Sequence, residues 1–317
     1  MKTSFQKTLI AASVGVAMFA AVSTASANSL LFPYFTTNSG AQSVLSLSNT
    51  ATGTGTGVVP VHYVYNYGTA CTHYDANGSL TANDILSHSI ASPAAGGFGL
   101  AVGTDKSIPV YFPLANQSGF LVVSSKNTTS TTALRGSMAI VDPSSGLVVS
   151  YPGIDNALDT SATEGNFSAI KDLNFPLTSL PGAVVATSWY AVVVGDMSTA
   201  ITNGANWTGA VSFSNNGNVY NNDEVAYSGT ATKTITCSGA LVPTDLATSA
   251  QASAVGSNGG LINSLGTVVA GTPATGVVLM KLQYVQPAVG GVFGGKQFLH
   301  REVGTPTPAP VLLANIQ

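Results

Sequence analysis

Residues 71–88, CTHYDANGSLTANDILSH, gather the densest set of chemically capable side chains in this chain of 317 residues. They hold one of its 2 cysteines and 2 of its 4 histidines, with Asp75, Asn77 and Asp84 spaced around Gly78. Counted from His73, the stretch falls into the register of a twelve-residue calcium loop, with oxygen donors Asp75, Asn77, Thr81 and Asp84, Gly78 at the sharp turn and Leu80 at the apolar position. Those four donors are candidate calcium ligands. The register departs from that loop at both ends, where His73 opens it and a short Asp replaces the closing Glu. The same residues also read as a turn at 75–78 followed by a helix N-terminus at 81–84, with Asp84 supplying the acid of a capping box. His62, His73 and His88 form a softer ligand set, spread over an expected strand, loop and helix.

Cys71 and Cys237 are the second piece of chemistry. Neither belongs to a C-x-x-C pair, which argues against thiolate metal ligation. In an exported chain an even cysteine count favours a disulfide, and this one closes a loop of about 165 residues. Export is expected from residues 1–27: Lys2 and Lys7 precede an apolar run at 9–22, and Ala25-Ser26-Ala27 offers a small-residue cleavage site. Ser13 and Gly15 interrupt that run, which is too short for the roughly 20 apolar residues of a spanning helix. No transmembrane span is expected once the signal is removed. The expected destination is extracellular or the cell surface, with the periplasm as the alternative.

Catalytic patterns are sparse. Ser168 and Lys171 match S-x-x-K without its companion motifs, and neither G-x-S-x-G nor H-E-x-x-H occurs. Asp155 with Asp159, or Asp223 with Glu224, would serve glycoside chemistry only if the fold set them across a cleft. Tyr63, Tyr65, Trp189 and Trp207 are candidate exposed stacking platforms for a glycan or surface.

The elements that must position these groups are short strands. Charged residues make up 7% of the chain against about a quarter in ordinary soluble domains, while hydrophobic residues are an ordinary 45%. Without Lys2 and Lys7, 8 basic residues face 13 acidic ones, which leaves no basic surface for nucleic acid. The neutral, hydroxyl-rich exterior offers little repulsion between copies.

Val61, Tyr63 and Tyr65 alternate along one expected strand, and the Thr/Gly tract at 50–57 precedes it. SMAIV, DPSSG and LVVSY at 137–151 form a hairpin, with Pro143 and Gly146 in its turn. Residues 152–181 lose periodicity and carry Asp155, Asp159, Glu164 and Asp172, so they read as a surface excursion with one helical turn near 167–173. Strands resume at TSWYAVVVG, and Thr244-Asp245 announces a short Ala/Ser-rich helix.

About a dozen short strands at spacings near ten residues predict an all-β fold. The expected architecture is a β-sandwich or jelly roll of short antiparallel strands with two or three short helices, with two sub-domains dividing near 152–181 as one arrangement of residues 28–317. The function expected is an exported, non-enzymatic structural subunit that self-assembles. Residues 30–35 or 311–316 would add to a neighbour's sheet edge. A secreted glycan- or surface-binding adhesin module is the alternative, and a secreted hydrolase the second.

Overall fold

The computed structural model describes residues 29–300 except 39, 50–57, 82, 100–105, 126–133, 143–146, 156–164, 166, 168–171, 181–182, 198–199, 201–203, 216–218 and 288–292. The expected signal at 1–27, the Thr/Gly tract, the hairpin turn at 143–146 and the terminal segment 311–316 lie outside the described residues.

In chain order the first strands are β1 (Ser29–Thr36), β2 (Gln42–Asn49), β3 (Val59–Tyr67), β4 (Thr72–Leu80), β5 (Ile85–Ser89), β6 (Ser118–Ser125), β7 (Leu134–Asp142), β8 (Leu147–Pro152) and β9 (Ile154–Asp155). They continue as β10 (Asp172–Leu177), β11 (Ala183–Gly195), β12 (Ala210–Ser214), β13 (Val219–Asn221), β14 (Ala226–Tyr227), β15 (Thr232–Thr236), β16 (Ser238–Leu241), β17 (Gly260–Val268), β18 (Ala274–Pro287) and β19 (Phe293–His300). Between β16 and β17 lie a single helical turn, α1 (Pro243–Leu246), and the helix α2 (Ser249–Asn258).

The fold is all-β, as the strand spacing predicts. Residues 29–155 build sheet I, ordered β4-β3-β6-β1-β9, and sheet II, ordered β5-β2-β7-β8. Residues 172–300 build sheet III, ordered β16-β11-β18-β19, and sheet IV, ordered β14-β13-β17-β12-β15 with β10 also on β17. Every ladder between named strands is antiparallel. The expected β7–β8 hairpin is present, with Met138 opposite Tyr151 and Asp142 opposite Leu147.

Sheets I and II pack face to face. Phe32 from β1 lies against β7, where a Cβ on Gly136 would come within 2.9 Å of its ring, so glycine makes room for the aromatic. The same core continues into sheet III through Tyr190, Val192, Val194, Val278 and Met280. Their immediate neighbours Trp189, Ala191, Val193, Val277 and Leu279 enter a second core against sheet IV. Successive side chains on a strand point to opposite faces, so the β11–β18 pair is buried on both. That is why these two strands read as continuous apolar runs and not as clean alternation.

Several local expectations change. β1 is no free terminal strand: it pairs with β6 along one side and with β9 at Leu30 and Leu31 on the other, with Leu30, Leu31, Phe32 and Phe35 buried. Its ladder to β6 shifts between Phe32 and Phe35, around Pro33, which has no N–H to contribute. The helix expected after Thr81 is instead β5, paired with β2 from Val44–Ser89 to Ser48–Ile85. Pairing outweighs a weak capping signal there, and Asp84 accepts from the Thr81 and Ser107 hydroxyls to close the corner. Near 167–173, Asp172 and Leu173 begin β10, while 168–171, where a helical turn is expected, lie outside the described residues. The later helix is present, with its cap at Thr248: the Thr248 hydroxyl accepts from Gln251 N–H, and Gln251 Oε1 accepts from Thr248 N–H.

Candidate functional site

The disulfide is present. Cys71 and Cys237, 166 residues apart in sequence, are bonded with a Cα–Cα separation of 5.7 Å. Cys71 ends the turn between β3 and β4, its N–H donating to Gly68 O at 3.3 Å. Cys237 is the residue between β15 and β16; its N–H donates to Gly209 O and its carbonyl accepts from Val193 N–H, both at 2.8 Å. Both cysteines are buried, and both hold left-handed backbone, φ 52° and 64°. Surrounding structure must over-determine such positions for them to persist. The bond therefore ties the edge hairpin of sheet I to the junction of sheets III and IV.

The calcium reading requires a loop, and β4 occupies its place. Asp75 and Asn77 lie on a strand paired with β3, opposite Val64 and His62. Asp75 turns to two histidines, with His73 Nε2 at 3.5 Å from Oδ2 and His62 Nε2 at 3.9 Å from Oδ1. Asp84, around the corner with Thr81, accepts from Thr81, Ser107 and Ile85 N–H. These hydrogen bonds outweigh its partial desolvation and hold its carboxyl below the usual range. Asp75 on the one hand and Thr81 with Asp84 on the other thus serve two separate clusters. Among the described residues, no group of three or more His, Cys, Asp or Glu is arranged to hold a metal.

Nor do the three histidines converge. His62 and Tyr63 point to opposite faces of sheet I, and His88 lies on the Tyr63 side, with ring centroids 6.4 Å apart. Tyr111 meets His88 edge-on at 5.4 Å. His88 Nδ1–H donates to Ser89 O at 2.8 Å, while Nε2 is buried without a hydrogen bond. Burial pushes the His88 pKa down to about 4, against the smaller opposing effect of the Ser89 bond.

His73 is the polar contact across the seam. Its Nδ1 meets Asn206 Oδ1 at 3.1 Å, from the segment linking β11 to β12. On the other side of the ring, His73 Nε2 faces Asp75. Gly204 from the same segment packs so closely that a Cβ there would lie 3.2 Å from His73 Nε2. An amide, a carboxylate and two imidazoles make a hydrogen-bonded seam; this cluster contains no hydroxyl, thiol or amine nucleophile.

The expected stacking platforms are interior. Tyr63, Tyr65 and Trp189 are 0% exposed and Trp207 is 4% exposed. Tyr65 donates its hydroxyl to Val110 O at 2.8 Å, Trp207 Nε1–H donates to Val193 O at 2.9 Å, and Trp189 meets the Phe175 ring at 5.0 Å. Burial raises the hydroxyl pKa of both Tyr63 and Tyr65. Alternation correctly put Val61, Tyr63 and Tyr65 on one face, but it carries no information on whether a second sheet covers that face. The large apolar side chains left in water are others, among them Phe98 and Ile108 at 57% and Leu114 at 42%. The sequence signal for them is IPVYFP at 108–113, where two prolines mark an extended segment at a sheet's margin.

The remaining acids stay apart. Asp223 and Glu224 sit in the turn after β13, with Asp223 N–H donating to Asn221 Oδ1 at 3.0 Å. Asp155 lies in β9, its backbone paired with Leu30. Asp159, Glu164, Ser168 and Lys171 lie outside the described residues. No protein-family model matches the chain, and neither a curated protein nor a solved structure is significantly similar to it.

Proposed function

We propose that the mature chain is an exported structural protein, a β-sandwich subunit of a cell-surface or extracellular assembly, with no catalytic role. One observation carries this reading: the side chains best equipped for chemistry are used to join sheets. Cys71 and Cys237 form a buried bridge, His73 spans to Asn206, and His88 is enclosed between Tyr63 and Tyr111. What faces outward is poor in charge, 7% of the chain, and copies of such a surface repel one another weakly. The adhesin alternative has lost its four named platforms to the interior.

The test is negative-stain electron microscopy and sedimentation velocity of the purified mature protein. Filaments, sheets or discrete oligomers are expected. A monodisperse monomer at high concentration overturns the reading.

A further inference from the structure

We propose that Tyr34 and Tyr190 form an oxidative cross-linking site, at which a one-electron oxidant joins their rings as an intramolecular dityrosine between sheets I and III. The site goes beyond the assembly reading and does not depend on it. The two ring centroids stand 4.6 Å apart and the rings are tilted by 56°, one carried by β1 and the other by β11. The other tyrosine pairs in ring contact among the described residues, Tyr63–Tyr65 at 6.4 Å and Tyr65–Tyr74 at 6.1 Å, lie within sheet I. A bond at Tyr34–Tyr190 would instead tie one sheet to another.

Local structure aims Tyr34 at its partner. The β1–β6 ladder breaks register between Phe32 and Phe35, and an irregularity of that kind turns a side chain out of its sheet's alternation. The Tyr151 hydroxyl of β8 then fixes the Tyr34 backbone, accepting from its N–H at 3.3 Å and donating to its carbonyl. The hydroxyl ends of the pair come to one place. Tyr34 hydrogen-bonds the Thr36 side chain and Tyr190 that of Ser118, and Thr36 and Ser118 lie opposite each other in the β1–β6 ladder. Rings in contact with their hydroxyls at the same end set the carbons next to those hydroxyls side by side. Those are the carbons that couple.

Burial raises the pKa of both hydroxyls, that of Tyr190 to about 12, so each enters the reaction as a neutral phenol. Each O–H gives one electron to the oxidant and its proton to water, which the half-buried Tyr34, Ser118 and Ser238 reach; the Ser238 hydroxyl lies 3.1 Å from that of Tyr190. Two phenoxyl radicals result, with unpaired spin on the carbons next to oxygen. One carbon–carbon bond forms between those carbons, the hydrogens they carried move to the oxygens as protons, and both hydroxyls are restored. Two phenols and two one-electron oxidants thus become one biaryl, two reduced oxidants and two protons. The product adds to the Cys71–Cys237 bond a second covalent tie from sheet I, one that thiols do not reverse.

The experiment oxidises the mature chain at low concentration with photogenerated tris(bipyridine)ruthenium(III), persulfate taking up the electrons, and reads dityrosine fluorescence and peptide masses. The expected product is a single chain lighter by two hydrogen atoms, with the peptides that contain Tyr34 and Tyr190 joined. Tyr34→Phe and Tyr190→Phe are each expected to abolish this product with unchanged circular dichroism. Tyr220→Phe, on β13, is the control and is expected to leave it at the wild-type level. Wild type unfolded in urea is expected to lose the Tyr34–Tyr190 link, because folding alone brings these rings together. The site is overturned if folded wild type yields no dityrosine, if its dityrosine joins other tyrosines only, or if urea leaves the Tyr34–Tyr190 yield unchanged. None of these outcomes bears on whether copies of the chain associate.

Discussion

The two sets of strands solve the same burial problem with different side chains. In residues 29–155 the interior is a network of rings, with Phe35 at 5.5 Å from Tyr65 and 5.3 Å from Phe112, and Tyr67 at 4.9 Å from Phe112. Buried His62, Asn66 and His88 lie in the same set. In residues 172–300 the second core is mostly aliphatic, built on Val211, Val219, Ile262, Val277 and Leu279 around the Trp189–Phe175 pair. Titratable groups held neutral by burial make stability depend on pH, whereas aliphatic packing depends on shape alone. The difference places His88, the histidine that burial holds neutral, in the first half. The β11–β18 pair belongs to the second half by hydrogen bonding and to both by packing, so the two halves are not energetically independent.

The largest expected effect comes from removing β1. Deletion of residues 28–36 takes out the strand between β6 and β9 together with four buried apolar side chains, and loss of cooperative unfolding by circular dichroism is expected. If the shorter chain still unfolds in one full-sized transition, sheet I is not the unit described here. Next is the bridge between the halves. Cys71→Ala with Cys237→Ala is expected to cost up to about 5 kcal/mol by the loop-entropy account for this separation. Urea unfolding measures this, and two separated transitions in the variant would show that the bridge enforces the coupling of the halves.

Trp189→Ala probes the second core, at about 3–5 kcal/mol for a fully buried indole. That loss should be the same at pH 7 and pH 5, since the Phe175 ring that packs against it does not titrate. The smallest effect is the first half's pH dependence. His88 has a folded pKa depressed to about 4 from 6.5. As pH falls below 6.5 the unfolded chain takes up a proton that the folded one refuses, so stability present above that pH declines until about pH 4. The full effect is about 3 kcal/mol at 1.36 kcal/mol per unit. His88→Leu is expected to flatten this part of the stability curve, and an unchanged slope would remove His88 as its source.

Much of the fold was legible because its signals are local. Turn chemistry and alternation located β3, β7, β8 and β11, and the Ala/Ser-rich helix appeared where its composition pointed. Thr81–Asp84 misled because a capping pattern and a tight corner use the same oxygen acceptor, and only the pairing of β5 with β2 distinguishes them. The candidate site was less legible. Tyr63, Tyr65 and Trp189 look like any half-buried strand aromatics until a second sheet is laid over them. Phe98 and Leu114 look like core, yet they are 57% and 42% exposed.

The sequence by itself determined the all-β class and the pairing of the two cysteines, since strand period, turn residues and an even cysteine count act over short range or leave one choice. Tertiary structure alone decided that residues 71–88 reach across sheets, through the Cys71–Cys237 bond and the His73–Asn206 contact. Convergence of His73, Asp75 and Asn206 across 133 positions of chain is set by how the sheets pack, which no spacing within the segment encodes.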